Sequence, residues 1–173
     1  MGMQTDVLSG HIDTSGFIVT GRVRVKSIVF QGSGGGAGSV DVFDTTTAPV
    51  SATYGRSGNT ITVSKSAHGL TSGDTVGIEF QSAGGSSGTN GNYTITVTNA
   101  NTFTITDVNS GTVTPGTACK YVDGTGGRWL TSFLTATSQT TPVSIVVPGE
   151  GILAQSGVYV NLTNAAFVTV FYG

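Results

Sequence analysis

Ser64–Val76, "SKSAHGLTSGDTV", places a histidine, an aspartate, two glycines and several hydroxyls within thirteen residues. Ser66, His68 and Asp74 are the types that a nucleophile, its base and an orienting carboxylate require. Side chains this close on adjoining strands and one turn do not converge in that geometry, because alternate residues point apart. A metal site wants further histidines or carboxylates at ligand spacing, and Glu79 is the only nearby addition. A phosphate loop would end in "GK[ST]" and open a helix, which this stretch does not. The same residues suit a turn between two strands. Gly69 and Gly73 take positive φ, Asp74 accepts backbone amides, Leu70 plugs the end of a core, and His68 bridges backbone groups. No catalytic, cofactor-binding or metal-binding residue is therefore assigned, and no cofactor is expected.

The elements that hold this turn read as strands throughout. "NTITVSK", "DTVGIEF", "NYTITVT", "NTFTITDV" and "ACKYV" are five short strands between residues 51 and 122, with threonine at outward positions. Tyr93, Ile95 and Val97 share one face, and Phe103 and Ile105 pair back across a tight Asn-Ala turn. Upstream, "RVRVKSIVFQ" alternates and then slips phase, which predicts a bulge near Lys26–Ser27. "GSGGGAGS" reads as a hairpin loop into "VDVFD", and "GVYVNLTNAAFVTVFYG" as a closing hairpin. Residues 1–21 lack a clear period and read as an N-terminal arm that orders against a neighbour.

Composition agrees with an all-β chain. Only 9% of the 173 residues are charged, 27 are glycine, and the net charge is −2, against about 25% charged residues in an average soluble protein. So little charge weakens solubility as a free monomer and points to surfaces covered by identical neighbours or a larger assembly. It argues against nucleic acid as a partner. Arg22, Arg24 and Lys26 share one strand face, a solvated face or a contact for an acidic partner subunit. The single cysteine, Cys119, excludes an intrachain disulfide. No apolar run approaches a membrane span and no signal sequence opens the chain, so synthesis in a cytoplasm is expected. The sequons at Asn92 and Asn161 are then coincidental.

Neither flank has strands enough for a sandwich alone, so the economical architecture is nested. Residues 1–50 and 123–173 form one β-sandwich, jelly-roll or immunoglobulin-like, and residues 51–122 form a small β-barrel inserted in one of its loops.

"NTITVSKSAHGLTSGDTVGIEF…GNYTITVTNANTFTIT" resembles a β-module that recurs in virion proteins of tailed bacteriophages. The flanks "VKSIVFQGSGGGAGSVDVFDT" and "GILAQSGVYVNLTNAAFVTVFYG" are similar to short Gly-rich virion-associated proteins of such phages. The resemblance implies a non-enzymatic structural protein located in the virion, a capsid decoration or cement protein. Its partners would be the major capsid protein and copies of itself, a trimer being favoured, with the sandwich seated on the shell. The alternative is a tail component or receptor-binding protein that touches host glycans through Tyr54, Tyr93 or Trp129. A hydrolase would need paired carboxylates, and the nine acidic residues are scattered.

Overall fold

The computed structural model describes residues 7–82 and 86–173. Every regular element among them is a β-strand, so no helix is long and apolar enough to cross a membrane. The chain divides into two compact units, Met1–Ala48 with Leu130–Gly173, and Pro49–Trp129. Residues 123–129 belong to the inner unit, where Gly124 donates to the Thr75 carbonyl at 2.7 Å.

The outer unit is a two-sheet sandwich. It uses β1 (Leu8–Ile12), β2 (Gly16–Thr20), β3 (Val23–Gly32), β4 (Gly38–Asp44), β10 (Arg128–Thr135), β11 (Val143–Val146), β12 (Ile152–Ala154), β13 (Gly157–Thr163) and β14 (Ala165–Tyr172). One sheet has the order β1-β14-β3-β11, with β12 also on β3; the other has the order β10-β4-β13-β2. Successive strands β1 and β2, β3 and β4, β10 and β11, and β13 and β14 thus each place one member in each sheet. Val25, Ile28 and Phe30 of β3, Val40 and Val42 of β4, Val158 and Val160 of β13, and Val168 and Val170 of β14 fill the space between the sheets. These are the inward positions of the four inner strands.

Three expectations are corrected by these pairings. Residues 8–20 are no arm: they supply edge strands to both sheets, with Leu8–Ile12 paired to Val168–Tyr172. Their apolar residues look aperiodic because each strand is short and half covered; residues 1–6 lie outside the described residues. The Gly32–Ser39 loop and the turn at Asn164 are not hairpins, because the strands on either side lie in different sheets. The apolar rows they join face each other across the core and so cannot lie side by side. The phase slip does fall at Lys26, where β14 passes from Ser27 to Val25 in register.

The inner unit contains β5 (Val50–Ser64), β6 (Thr75–Phe80), β7 (Gly91–Thr94), β8 (Thr96–Asn99) and β9 (Thr102–Asp123). β9 is one long bent strand where the sequence suggested two. Its pairing runs β5-β9-β6-β7; β7 continues through Ile95 into β8, which returns to β9 at Val97 and Phe103. The sheet therefore rolls around Ile61, Val63, Val76, Ile78, Ile95, Phe103, Ile105 and Tyr121.

Candidate functional site

The Ser64–Val76 stretch links β5 to β6, and most of its polar groups bond within the turn or to the neighbouring β8–β9 turn. Lys65 and His68 donate backbone N–H groups to the carbonyls of Asn101 and Ala100, docking this turn on the β8–β9 turn. Ala67 adopts φ +49°, a left-handed conformation rare without glycine, and its amide is held by the Asn101 Oδ1 at 2.9 Å. Gly69 and Gly73 follow at φ +71° and +98°. The His68 ring accepts the Leu70 amide at Nδ1 (3.0 Å), which makes Nε2 the protonated nitrogen, donating to the Asn99 carbonyl at 3.0 Å. Asp74 accepts the Thr71 amide at 2.7 Å and the Thr71 hydroxyl at 3.0 Å. Leu70 then sits in the core.

Both ring nitrogens of His68 and both carboxylate oxygens of Asp74 are thus spent on the turn. Neither bonds to Ser66, which is exposed. The three residues of a hypothetical triad are near in sequence and are not joined in space. Among the described residues no group of three His, Cys, Asp or Glu side chains is arranged to hold a metal ion.

The aromatic residues suited to a glycan platform are mostly committed. Tyr54 is 1% exposed and donates its hydroxyl to the Gln81 carbonyl at 3.0 Å, so it cannot face a ligand. Half-buried Tyr93 donates to the Thr89 carbonyl at 2.5 Å. Burial, together with the Asp107 charge, pushes its phenol up to about 12, with Arg56 opposing. The backbone of half-buried Trp129 is gripped by Asn92, whose Oδ1 accepts the Trp129 N–H and whose Nδ2 donates to its carbonyl, each at 2.9 Å. Two of the three basic candidates have partners within the chain: Arg24 lies 3.6 Å from the Glu150 carboxylate, and the Lys26 ammonium donates to the Glu150 carbonyl at 2.9 Å.

What the surface does offer is a groove lined largely by threonine and serine side chains. Ile61 and Val63 point into the core, so Thr60, Thr62 and Ser64 project from the opposite face of β5. Opposite them in register are Thr106, Thr104 and Thr102 of β9. Where the ladder is interrupted beyond Thr60, an open groove of about 560 Å³ runs from Ser64 past Arg56 to Pro115. Its lining holds no carboxylate, imidazole or thiol, so it can hydrogen-bond a neutral ligand and offers no acid–base chemistry.

Beneath the groove lies a charged cluster that patterning did not reveal. The register jumps from Gly58↔Gly111 to Thr60↔Thr106, looping out residues 107–110 of β9. Arg56 and Asp107, both buried, approach to 3.5 Å under this loop. The guanidinium donates to the carbonyls of Gly58 (3.0 Å), Ser86 (3.1 Å), Ser87 (2.7 Å) and Asn109. The carboxylate accepts the amides of Thr89 (2.8 Å) and Asn109 (3.0 Å) and the Thr89 hydroxyl (2.9 Å). Burial alone would raise the Asp107 pKa, but those bonds and the Arg56 charge outweigh it and hold the carboxyl below its ordinary 3.8. The pair clips residues 86–89 onto the loop-out. Its only sequence signal is an arginine among small residues in a charge-poor chain.

No protein-family model matches this chain, and no curated protein matches it.

Proposed function

We propose that this chain is a non-enzymatic structural protein of a tailed-bacteriophage virion, a capsid decoration protein that binds the major capsid protein as a homo-oligomer. The observation that carries this reading is the wiring of the outer unit. Taking its eight main strands in chain order, the sheets run 1-8-3-6 and 5-4-7-2, with each successive pair divided between them. That is the path of a jelly roll, an architecture used by viral capsid and lectin domains. The inner unit, which carries the virion-module resemblance, is spliced between the fourth and fifth of these strands. Fold does not dictate function, and the support here is the combination of this wiring, the resemblance of both segments and the low charge.

The test is copy number per purified particle, by quantitative mass spectrometry against the major capsid protein. The expected result is a count comparable to the capsid protein. A count matching the few tail subunits moves the protein to the tail, and absence from the particle refutes both placements.

The threonine- and serine-lined groove favours a second reading, a tail protein that holds a neutral host glycan. Threonine hydroxyls and methyls along Thr60, Thr62 and Thr114 suit such a ligand better than an ionic one. Glycan binding that survives Thr62→Val with Thr114→Val refutes this site.

A further inference from the structure

His68 occupies a position that asparagine could partly fill. Its Nδ1 accepts the amide of Leu70, two residues on, at 3.0 Å. An asparagine side chain makes the same bond in an Asx turn, and makes it at any pH. Histidine makes it only while Nδ1 carries no proton. Nε2 donates to the Asn99 carbonyl at 3.0 Å, so the two bonds together require the neutral ring with its proton on Nε2. Imidazole is also the side chain whose ordinary change of charge falls between about pH 5 and pH 8.

A second proton sets Nδ1–H against the Leu70 N–H, donor facing donor. The Asn99 bond outlasts that change and the Leu70 bond does not. Leu70 belongs to the inner core, so the bond that is lost sits on a core residue. The rest of the turn is held by one neighbour. Ala67 lies at φ +49°, a strained conformation that persists only while its surroundings fix it. Those surroundings are the Asn101 Oδ1 on its own amide, and the Asn101 and Ala100 carbonyls on the amides of Lys65 and His68. Other charges do not intervene. The β8–β9 turn, Asn99 to Asn101, carries no titratable side chain, and nor does Phe103, whose ring meets the imidazole edge to face at 5.5 Å. Tyr121 stacks on Phe103 in turn, and burial pushes its phenol up. Asp74 is bonded to Thr71, and among the described residues neither Asp74 nor Lys65 forms an ion pair with the ring.

We propose that His68 is a proton-operated latch on the turn between β5 and β6. The neutral ring fixes the Leu70 amide and holds that side chain in the core; the protonated ring releases it. The closed turn uses the neutral ring, so its stabilisation is complete near neutrality and is lost as pH falls and the ring takes its proton. The device is local to the inner unit. It needs no partner chain and stands or falls apart from the decoration reading.

The test is nuclear magnetic resonance on the full-length chain between about pH 7.5 and about pH 5, the range in which imidazole titrates. At the upper end the ring is expected to show the Nε2–H tautomer, and the Leu70 amide to be protected from exchange. Once the ring is protonated, the protection factor of that amide is expected to fall about tenfold, the loss of one neutral hydrogen bond. His68→Asn keeps an acceptor that does not titrate, so its Leu70 protection is expected to hold at both ends. His68→Ala is expected to lack it at both. The urea midpoint of the inner unit, followed by Trp129 fluorescence, is expected to fall by about 1 M more in the wild type than in His68→Asn over the same range. His11, the other histidine, belongs to the outer unit, and Trp129 to the inner. An Nδ1–H tautomer, a ring still neutral at the lower end, Leu70 protection unmoved by protonation, or equal pH dependence in wild type and His68→Asn overturns the proposal. If His68→Asn does not fold, the tautomer and the wild-type exchange profile decide it.

Discussion

Asp107→Asn tests the energetics of the inner unit most directly. The substitution keeps the shape of the side chain and an oxygen for one of the Thr89 and Asn109 amides, which bond to different carboxylate oxygens, and removes the charge opposite Arg56. The guanidinium stays buried with four carbonyl partners but without its counter-ion. Removing one member of a buried pair costs about 3–5 kcal/mol. The retained shape and the one remaining oxygen place this variant at the lower end, about 3 kcal/mol. For a unit of this size, with a urea m-value of about 1 kcal/mol/M, that shifts the unfolding midpoint down by about 3 M. The chain has one tryptophan, Trp129, and it belongs to the inner unit, so its fluorescence reports this transition.

The pH dependence supplies a second readout. Because the folded-state pKa of Asp107 is depressed, its contribution is complete above the ordinary carboxyl value of 3.8 and is lost as pH falls through the lower folded value. The gap between wild type and Asp107→Asn is therefore expected to be widest near neutrality and to close in acid. A neutral-pH cost below about 1 kcal/mol, the range of a solvated surface pair, or a gap independent of pH, refutes the assignment of Arg56–Asp107 as a desolvated clip.

Two further outcomes follow from single side chains. Burial, with the Glu79 charge adding to it, pushes the Cys119 thiol up to about 12. Native protein at pH 8 is expected to resist a thiol reagent that labels the urea-unfolded chain at once, and rapid native labelling contradicts the packing described. His68→Ala removes both the acceptor of the Leu70 amide and the donor to Asn99, so a loss of about 1–3 kcal/mol is expected in the same urea assay. An unchanged midpoint contradicts its bridging role.

The turn at His68 was legible because its shape is set locally, whereas its docking on Asn99, Ala100 and Asn101 was not. Its glycines supply positive φ, Asp74 holds the Thr71 amide and hydroxyl, and the histidine joins two backbone groups within reach. The bulge at Lys26 was legible for a similar reason, since a phase slip in one strand needs no knowledge of its partners. What could not be read was which sheet each strand joins. Alternation tells which residues face inward, and "VYVNLT" and "FVTVFY" look alike whether they pair or face each other across a core. Asn164 decides this physically, with φ +48° and its side-chain amide bonded to the Ala37 carbonyl at 3.0 Å. The same contact explains a glycine in the loop opposite: a Cβ at Gly38 would run into the Thr163 carbonyl and Asn164. The Gly32–Ser39 loop thus needs a glycine near its end because two sheet-to-sheet crossings touch there.

Asp44 makes the converse point about parity. It follows Val40 and Val42 on the inward face of β4, where a carboxylate would be costly without partners. It survives there because it stands at the sheet's end and accepts the amides of Gln155 and Ser156 at 2.8 Å each and of Gly157 at 3.3 Å. Those residues form the turn that starts β13, so one inward carboxylate ties the exit of β4 toward the inner unit to the entry of β13. A chain that splices some eighty residues between two strands of a sandwich must hold the sandwich closed at the splice. An aspartate out of place in a valine row was the sign of it: in a charge-poor sequence, the charge that breaks the pattern marks where the fold is tied.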